Sequence, residues 1–228
     1  MKPIIIIGKG PSSFPVTKSD KYDIATLNNA IWISPEPTYA FFNDVELFAL
    51  CKKDDFINVK KIICPSYLHS KWAMLEGLCP DEVTHYQKLY DLFPNWLNHI
   101  EITPYELHSG DNTKIEEQIR TNKQIAEVPS LDEWPRSTGV TAANWLSKFA
   151  NYREFIIMGC DPAGGYNPLF IGAGHVNGVS GFNGQRTAAQ PEGYDLDYNQ
   201  MVRLIERYGG TATHIDHLST ERRIELGI

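Results

Sequence analysis

Cysteine is scarce in this chain. Its 228 residues include four, Cys51, Cys64, Cys79 and Cys160, with no C-x-x-C pair and no regular spacing. Neither a disulfide framework nor a zinc site is expected from that pattern, and the four read as reduced, buried thiols of a cytoplasmic protein. Long apolar runs are missing as well. The run Ile4 to Ile7 is too short for a signal peptide or a spanning helix, and no later window reaches the necessary length. No transmembrane segment is therefore expected, and any membrane contact would be peripheral. Cationic charge is in short supply: 21 Lys and Arg stand against 28 Asp and Glu, for a formal net charge of −7. That balance argues against a broad DNA-binding face, because neutralising phosphates takes clustered Lys and Arg. The histidines lack the i, i+4 pairing with a carboxylate that a zinc hydrolase shows; His69, His85, His99 and His108 are scattered, while His214 and His217 lie close together. No D-x-D ends a strand in the first half, and Asp195-Leu196-Asp197 matches it only by letter, near the start of a helix. No metal is expected.

What is present suits a globular core: 42% of residues are hydrophobic and 21% charged. The length fits one domain spanning residues 1–228. Short apolar runs ended by turn residues predict strands at Ile4 to Ile7, Asp23 to Leu27, Tyr39 to Phe42, Lys61 to Cys64, Phe155 to Met158 and Thr211 to Ile215. Apolar residues recurring at three and four predict helices at Val140 to Ala150 and Asp197 to Tyr208. Helical spacing is also plausible at Leu68 to Leu78, and Pro94, Pro104 and Gly110 break the stretch that follows. Strands alternating with helices predict an α/β fold, a Rossmann-like and mostly parallel sheet with helices on both faces. The glycine-rich segment from Gly164 to Gly184 is too long for a connector, and residues 162–190 read as a lid-like loop.

In a parallel sheet the carboxyl ends of the strands line the ligand crevice. Gly8-Lys9-Gly10-Pro11-Ser12-Ser13 follows the first strand, where glycines let backbone N–H groups approach a phosphate and a serine can cap a following helix. The dinucleotide fingerprint is incomplete, since its third glycine would fall at Ser13, and no Walker lysine-serine follows. Asn28 and Asn43, the latter followed by Asp44, each end a strand, and an amide there suits a base or a sugar hydroxyl. Ser137-Thr138-Gly139 opens a helix and offers hydroxyls and backbone donors at its positive end. Asp161, in Gly159-Cys160-Asp161-Pro162, belongs at the same crevice, whereas Cys160 reads as a small buried residue. His175 sits in the glycine-rich segment, where it could close onto substrate and take a hydroxyl proton. Whether Asp161 or His175 accepts the proton stays open at this level.

The order of these motifs resembles that of the bacterial sialyltransferases that decorate surface oligosaccharides, and of their phage-borne relatives. The resemblance runs from Ile4-Ile5-Ile6-Ile7-Gly8-Lys9-Gly10-Pro11-Ser12 through Asp23 to Asn28, Tyr39 to Asn43, Ile62 to Cys64, Ser137-Thr138-Gly139 and Phe155 to Asp161, then His175 and the last helix–strand pair. It implies a variant GT-A-type glycosyltransferase fold using a CMP-activated sugar or similar donor, with a hydroxyl acceptor such as an oligosaccharide and no essential metal or other cofactor. It further implies that Gly8, Gly10, Ser12, Asn28 and Asn43 hold the nucleotide, that Ser137, Thr138 and Gly139 contact the donor, and that His175 is the general base. Lys9 stands where the family usually has asparagine, and a single tyrosine, Tyr166, stands where the family has two assisting the leaving phosphate.

The alternative is glycosyl chemistry on DNA bases, either a glycosylase excising a modified base or a base-directed glycosyltransferase. Gly159-Cys160-Asp161-Pro162 is similar to the Gly-x-Asp-Pro water-holding loop of uracil-DNA glycosylases. Lys52, Lys53, Lys60, Lys61, Arg136 and Arg186 could form a local basic patch, with Trp32, Trp134 or Phe182 to stack on a base. A non-catalytic nucleotide sensor is the third class.

Overall fold

An apolar strand without polar alternation needs cover on both of its faces, and β1 (Ile4–Ile7) has it: all four isoleucines are fully buried. The computed structural model describes residues 2–43, 51, 53–65, 101–107, 130–132, 137–163, 165, 167–171 and 191–228. The further strands are β2 (Asp23–Leu27), β3 (Tyr39–Phe41), β4 (Lys61–Pro65), β5 (Glu101–Leu107), β6 (Ser130–Leu131), β7 (Glu154–Met158) and β8 (Thr211–His214). The helices are α1 (Thr138–Lys148), α2 (Pro168–Ile171), α3 (Pro191–Arg207) and α4 (Thr220–Leu226). Every strand pair is parallel, in the order β6-β5-β4-β3-β2-β1-β7-β8. This is a Rossmann-like α/β sheet. No helix among the described residues is long and apolar enough to cross a membrane.

Side-chain alternation along the central strands divides the core in two. Ile4 and Ile6 join Ala25, Leu27 and Phe41 beneath α1 and α3, which contribute Val140, Trp145, Leu146, Met201, Leu204 and Ile205. Ile5 and Ile7 face the other way, with Ile24, Ile156 and Met158, and are covered by Val16, Tyr22, Phe170 of α2 and Leu226 of α4. Trp145 anchors the first layer, its ring 5.8 Å from Tyr39 and 6.0 Å from Phe41. At the amino edge Asp23 accepts from Tyr152 at 2.6 Å and Thr38 at 3.0 Å and pairs with Lys2 at 2.9 Å, tying the starts of β1 and β2 to the chain entering β7.

Three sequence expectations need correction. Pro104 breaks nothing: it lies within β5, opposite Cys64 of β4. It keeps the β4 register without a break, and described pairing of β5 with β6 begins only at Glu106. No helix follows the glycine turn either; residues 13–19 are coil, with Pro11 shortly before them and Pro15 among them, and each proline disfavours helix at the residue before it. The glycine-rich segment is not wholly irregular, since Asn167 and α2 are seated at its start and Phe170 is buried. The stretch Leu68 to Leu78 lies outside the described residues.

Candidate functional site

Strand order reverses at β1: β2 to β6 extend to one side of it, β7 and β8 to the other. The crevice of an open parallel sheet lies at the carboxyl ends of the strands flanking such a reversal. Here those ends are Gly8–Ser13 after β1 and Gly159–Asp161 after β7.

The two segments are laced together. The Gly8 amide donates to Met158 O at 2.8 Å, and the Gly10 amide donates to Gly159 O at 2.8 Å. The Gly159 amide donates to Ser12 Oγ at 2.7 Å, and the Ser12 amide donates to Asp161 Oδ2 at 3.2 Å. The Ser13 hydroxyl donates back to Gly10 O at 2.7 Å. A Cβ on Gly8 would stand 2.2 Å from Gly159 O, and one on Gly10 would stand 2.0 Å from Asp161 Oδ2. The glycines are therefore required by the approach of one loop to the other. Much of the turn's donor capacity, expected to face a phosphate, is spent on the protein itself. Pro11 packs beside Gly165, and Lys9 O accepts from the Asn167 amide at 2.8 Å.

On the β2 and β3 side the expected residues do come together. Asn28, at a left-handed φ of 52°, donates from Nδ2 to Thr138 Oγ1 at 3.1 Å. Asn43 donates from Nδ2 to Thr141 Oγ1 at 2.9 Å, and the Thr141 hydroxyl lies 3.2 Å from Asn43 Oδ1. Both asparagines, from the ends of adjacent strands, thus meet the first turn of α1. Ser137 caps that helix, its Oγ accepting from the Val140 amide at 3.4 Å. The amides of the first turn have no partner within a helix, and they add to the positive end of its dipole. Gly139 is held by packing, since a Cβ there would lie 2.9 Å from Met201 Sδ.

Several buried polar atoms at the end of β2 are unsatisfied. Asn28 Oδ1, Thr26 Oγ1 and both amide atoms of Asn29 make no hydrogen bond, although Thr26 and Asn29 are fully buried. A buried donor or acceptor without a partner costs about 1–3 kcal/mol. The strand-end reading singled out Asn28 and gave its fully buried neighbour Asn29 no part; its signal was adjacency at the same strand end.

Asp161 stands at the crevice, beside the glycine turn. Its Oδ1 lies 3.3 Å from Nε2 of His214, the last residue of β8, and its Oδ2 receives the Ser12 amide. Burial alone would raise its pKa, but the neighbouring His214 ring and the Ser12 hydroxyl and amide outweigh it and hold the carboxyl below the usual value. An acid so stabilised as the anion is a weak proton acceptor. Sequence reading gave His214 no role at the crevice; the signal lay in topology, because β7 and β8 are neighbours, His214 ends β8 and Asp161 follows shortly after β7. Cys160, between the glycine turn and α1, is an inert thiol whose pKa burial and then Asp161 and Asp197 push up to about 12. Asp44, Tyr166 and His175 lie outside the described residues.

No family model matches the chain, and neither a curated protein nor a solved structure does.

Proposed function

We propose that this protein is a glycosyltransferase, which moves a sugar from a nucleotide-activated donor, a CMP-sugar or similar, to a hydroxyl acceptor without an essential metal ion. The observation carrying the reading is the convergence of Asn28 and Asn43 on the first turn of α1, beside buried amide and hydroxyl atoms that lack partners. Such a set can read the hydrogen-bonding edge of a base or the hydroxyls of a sugar. The helix start at Ser137–Gly139 is a seat for the donor's phosphate. In the reaction the acceptor oxygen bonds to the anomeric carbon as the bond from that carbon to the phosphate oxygen breaks. The nucleoside monophosphate leaves with the electron pair, and a base takes the acceptor's proton. His175 is the proposed base; the depressed pKa of Asp161 weighs against its serving instead.

Thermal stabilisation by CMP, UMP, their sugar conjugates and a short DNA duplex tests the proposal. A shift with one nucleotide class, weakened about tenfold in apparent affinity by Asn28→Ala, is expected. A response to duplex DNA alone would sink the transferase reading.

A further inference from the structure

His214, Asp161 and Asp216 form the tightest group of potential metal ligands among the described residues, their ligand atoms within 4.8 Å of one another. Geometry assigns them a different task. Asp161 Oδ1 faces Nε2 at 3.3 Å, whereas Asp216 Oδ2 faces Nδ1 at 3.6 Å, so the two carboxylates address different ring nitrogens. Nδ1 also accepts the Asp216 amide at 3.3 Å. A nitrogen accepting a hydrogen bond carries the lone pair, so in the neutral ring the proton resides on Nε2. A metal-bound histidine instead donates from its second nitrogen. Nε2 is buried and meets no acceptor in good alignment; Asp161 stands within ion-pair distance but off the ideal line. The ring is boxed by Tyr198 at 5.7 Å and by His217 at 5.9 Å, both edge-on.

We propose that His214 is a positioning residue for the crevice: its Nε2–H, in a tautomer set by the Asp216 amide, aims the Asp161 carboxylate at the Ser12 amide and so holds the Gly8–Ser12 turn in shape. Three neighbouring strand ends are thereby joined in series, β8 through His214, β7 through Asp161 and β1 through Ser12. The linkage explains why a carboxylate stands within 2.0 Å of where a Gly10 side chain would begin. The turn's form is set before any ligand arrives, which spares a ligand the cost of ordering it. That last consequence rests on the nucleotide reading of the crevice; the linkage itself does not.

Long-range proton–nitrogen correlation spectra of the ¹⁵N-labelled wild-type protein test the tautomer directly. A pyridine-type Nδ1 and a pyrrole-type Nε2 are expected at His214. The opposite tautomer would overturn the proposal, as would selective perturbation of His214 by one equivalent of zinc ion, which would make the group a cation site. His214→Gln keeps an N–H donor close to the position of Nε2, and His214→Ala removes it. Exchange of the Ser12 amide should quicken about tenfold or more in His214→Ala and return to near the wild-type rate in His214→Gln. Equal acceleration in both variants would reduce His214 to a space-filling role. CMP titration of the same samples separates the two levels: a wild-type protein indifferent to CMP, with the tautomer and the rescue as expected, refutes the nucleotide reading and leaves the linkage standing.

Discussion

Replacing Gly8 by alanine should be among the most damaging single-methyl changes in the molecule, for reasons of space alone. Gly8 and Gly10 do not have positive φ angles, so an alanine backbone is allowed at both. At Gly8 the new methyl would lie 2.2 Å from Gly159 O and 2.7 Å from Gly159 C, both backbone atoms, and 2.9 Å from Cys160 Sγ. Relief requires the β7 exit to move away, which strains the bonds from the Gly8 amide to Met158 O and from the Gly10 amide to Gly159 O. Overpacking typically costs about 1–3 kcal/mol, and each hydrogen bond about 0.5–1.5 kcal/mol, so a loss of about 3 kcal/mol is expected. For a chain of this length that corresponds to a fall in Tm of about 6–12 °C. Gly10→Ala offers the control, because its worst contact, at 2.0 Å, is with the carboxylate of Asp161, the movable end of a side chain. Adding Asp161→Ala should relieve part of the cost of Gly10→Ala, leaving its contact with Gly159 O at 2.9 Å, and leave Gly8→Ala unrelieved. Urea unfolding of the singles and the two doubles gives the coupling energies. A Gly8→Ala protein within about 0.5 kcal/mol of wild type would refute the reasoning, since it would mean the loops part without cost.

Asp161 should also mark the acid limb of the stability curve. Its folded pKa is depressed, so its contribution is complete above the unfolded carboxyl value of about 3.9 and is lost as pH falls through the lower folded value. Asp161→Asn should flatten the fall of the urea midpoint in that window, and an unchanged slope would deny the depression. Ser137→Ala should cost about 1 kcal/mol by chemical denaturation while Ser137→Asp keeps the cap, and two variants of equal stability would remove the capping role. Burial pushes the Cys64 and Cys160 thiols up to about 12 and also raises that of Cys51. In the native protein at pH 8 a disulfide reagent should therefore label at most Cys79, which lies outside the described residues. Rapid labelling of Cys160 would show that the crevice floor opens.

The strands were legible because burial on both faces leaves an unbroken apolar signature. Ile4–Ile7 and Asp23–Leu27 were read to the residue, and β7 and β8 to within one at an end. β5 was lost because Pro104, a breaker by sequence, sits in register beside Cys64 of β4, and that pairing is a tertiary fact. The asparagine cluster was legible for a simple reason: strand ends in a parallel sheet share one edge. The roles within the crevice were not. A glycine that lets a phosphate approach and one that lets a neighbouring loop approach look alike in sequence, and only the placement of Gly159 beside Gly8 separates them. Likewise His214 and Asp161 stand 53 positions apart, so nothing local reports that adjacent strands will present them to each other.

The position of β1 in the sheet bears on how the chain is made. β1 to β4 are sequence neighbours that pair in order, so that part of the sheet can assemble as it emerges. The other side of β1 waits for β7: Ile4 pairs with Phe155 and Ile7 with Met158, a closure across some 150 residues. Until that segment is synthesised, four consecutive isoleucines present an unpaired parallel edge, the kind of surface that recruits foreign strands. Pairing at such sequence separation is slow, and the lacing of Gly8–Ser12 to Gly159–Asp161 cannot precede it. The β1–β7 side of the crevice thus forms late, after α1 and β7 have been made. A ribosome stalled before residue 154 would carry an aggregation-prone chain with one edge of β1 open and the Gly8–Ser12 turn unlaced.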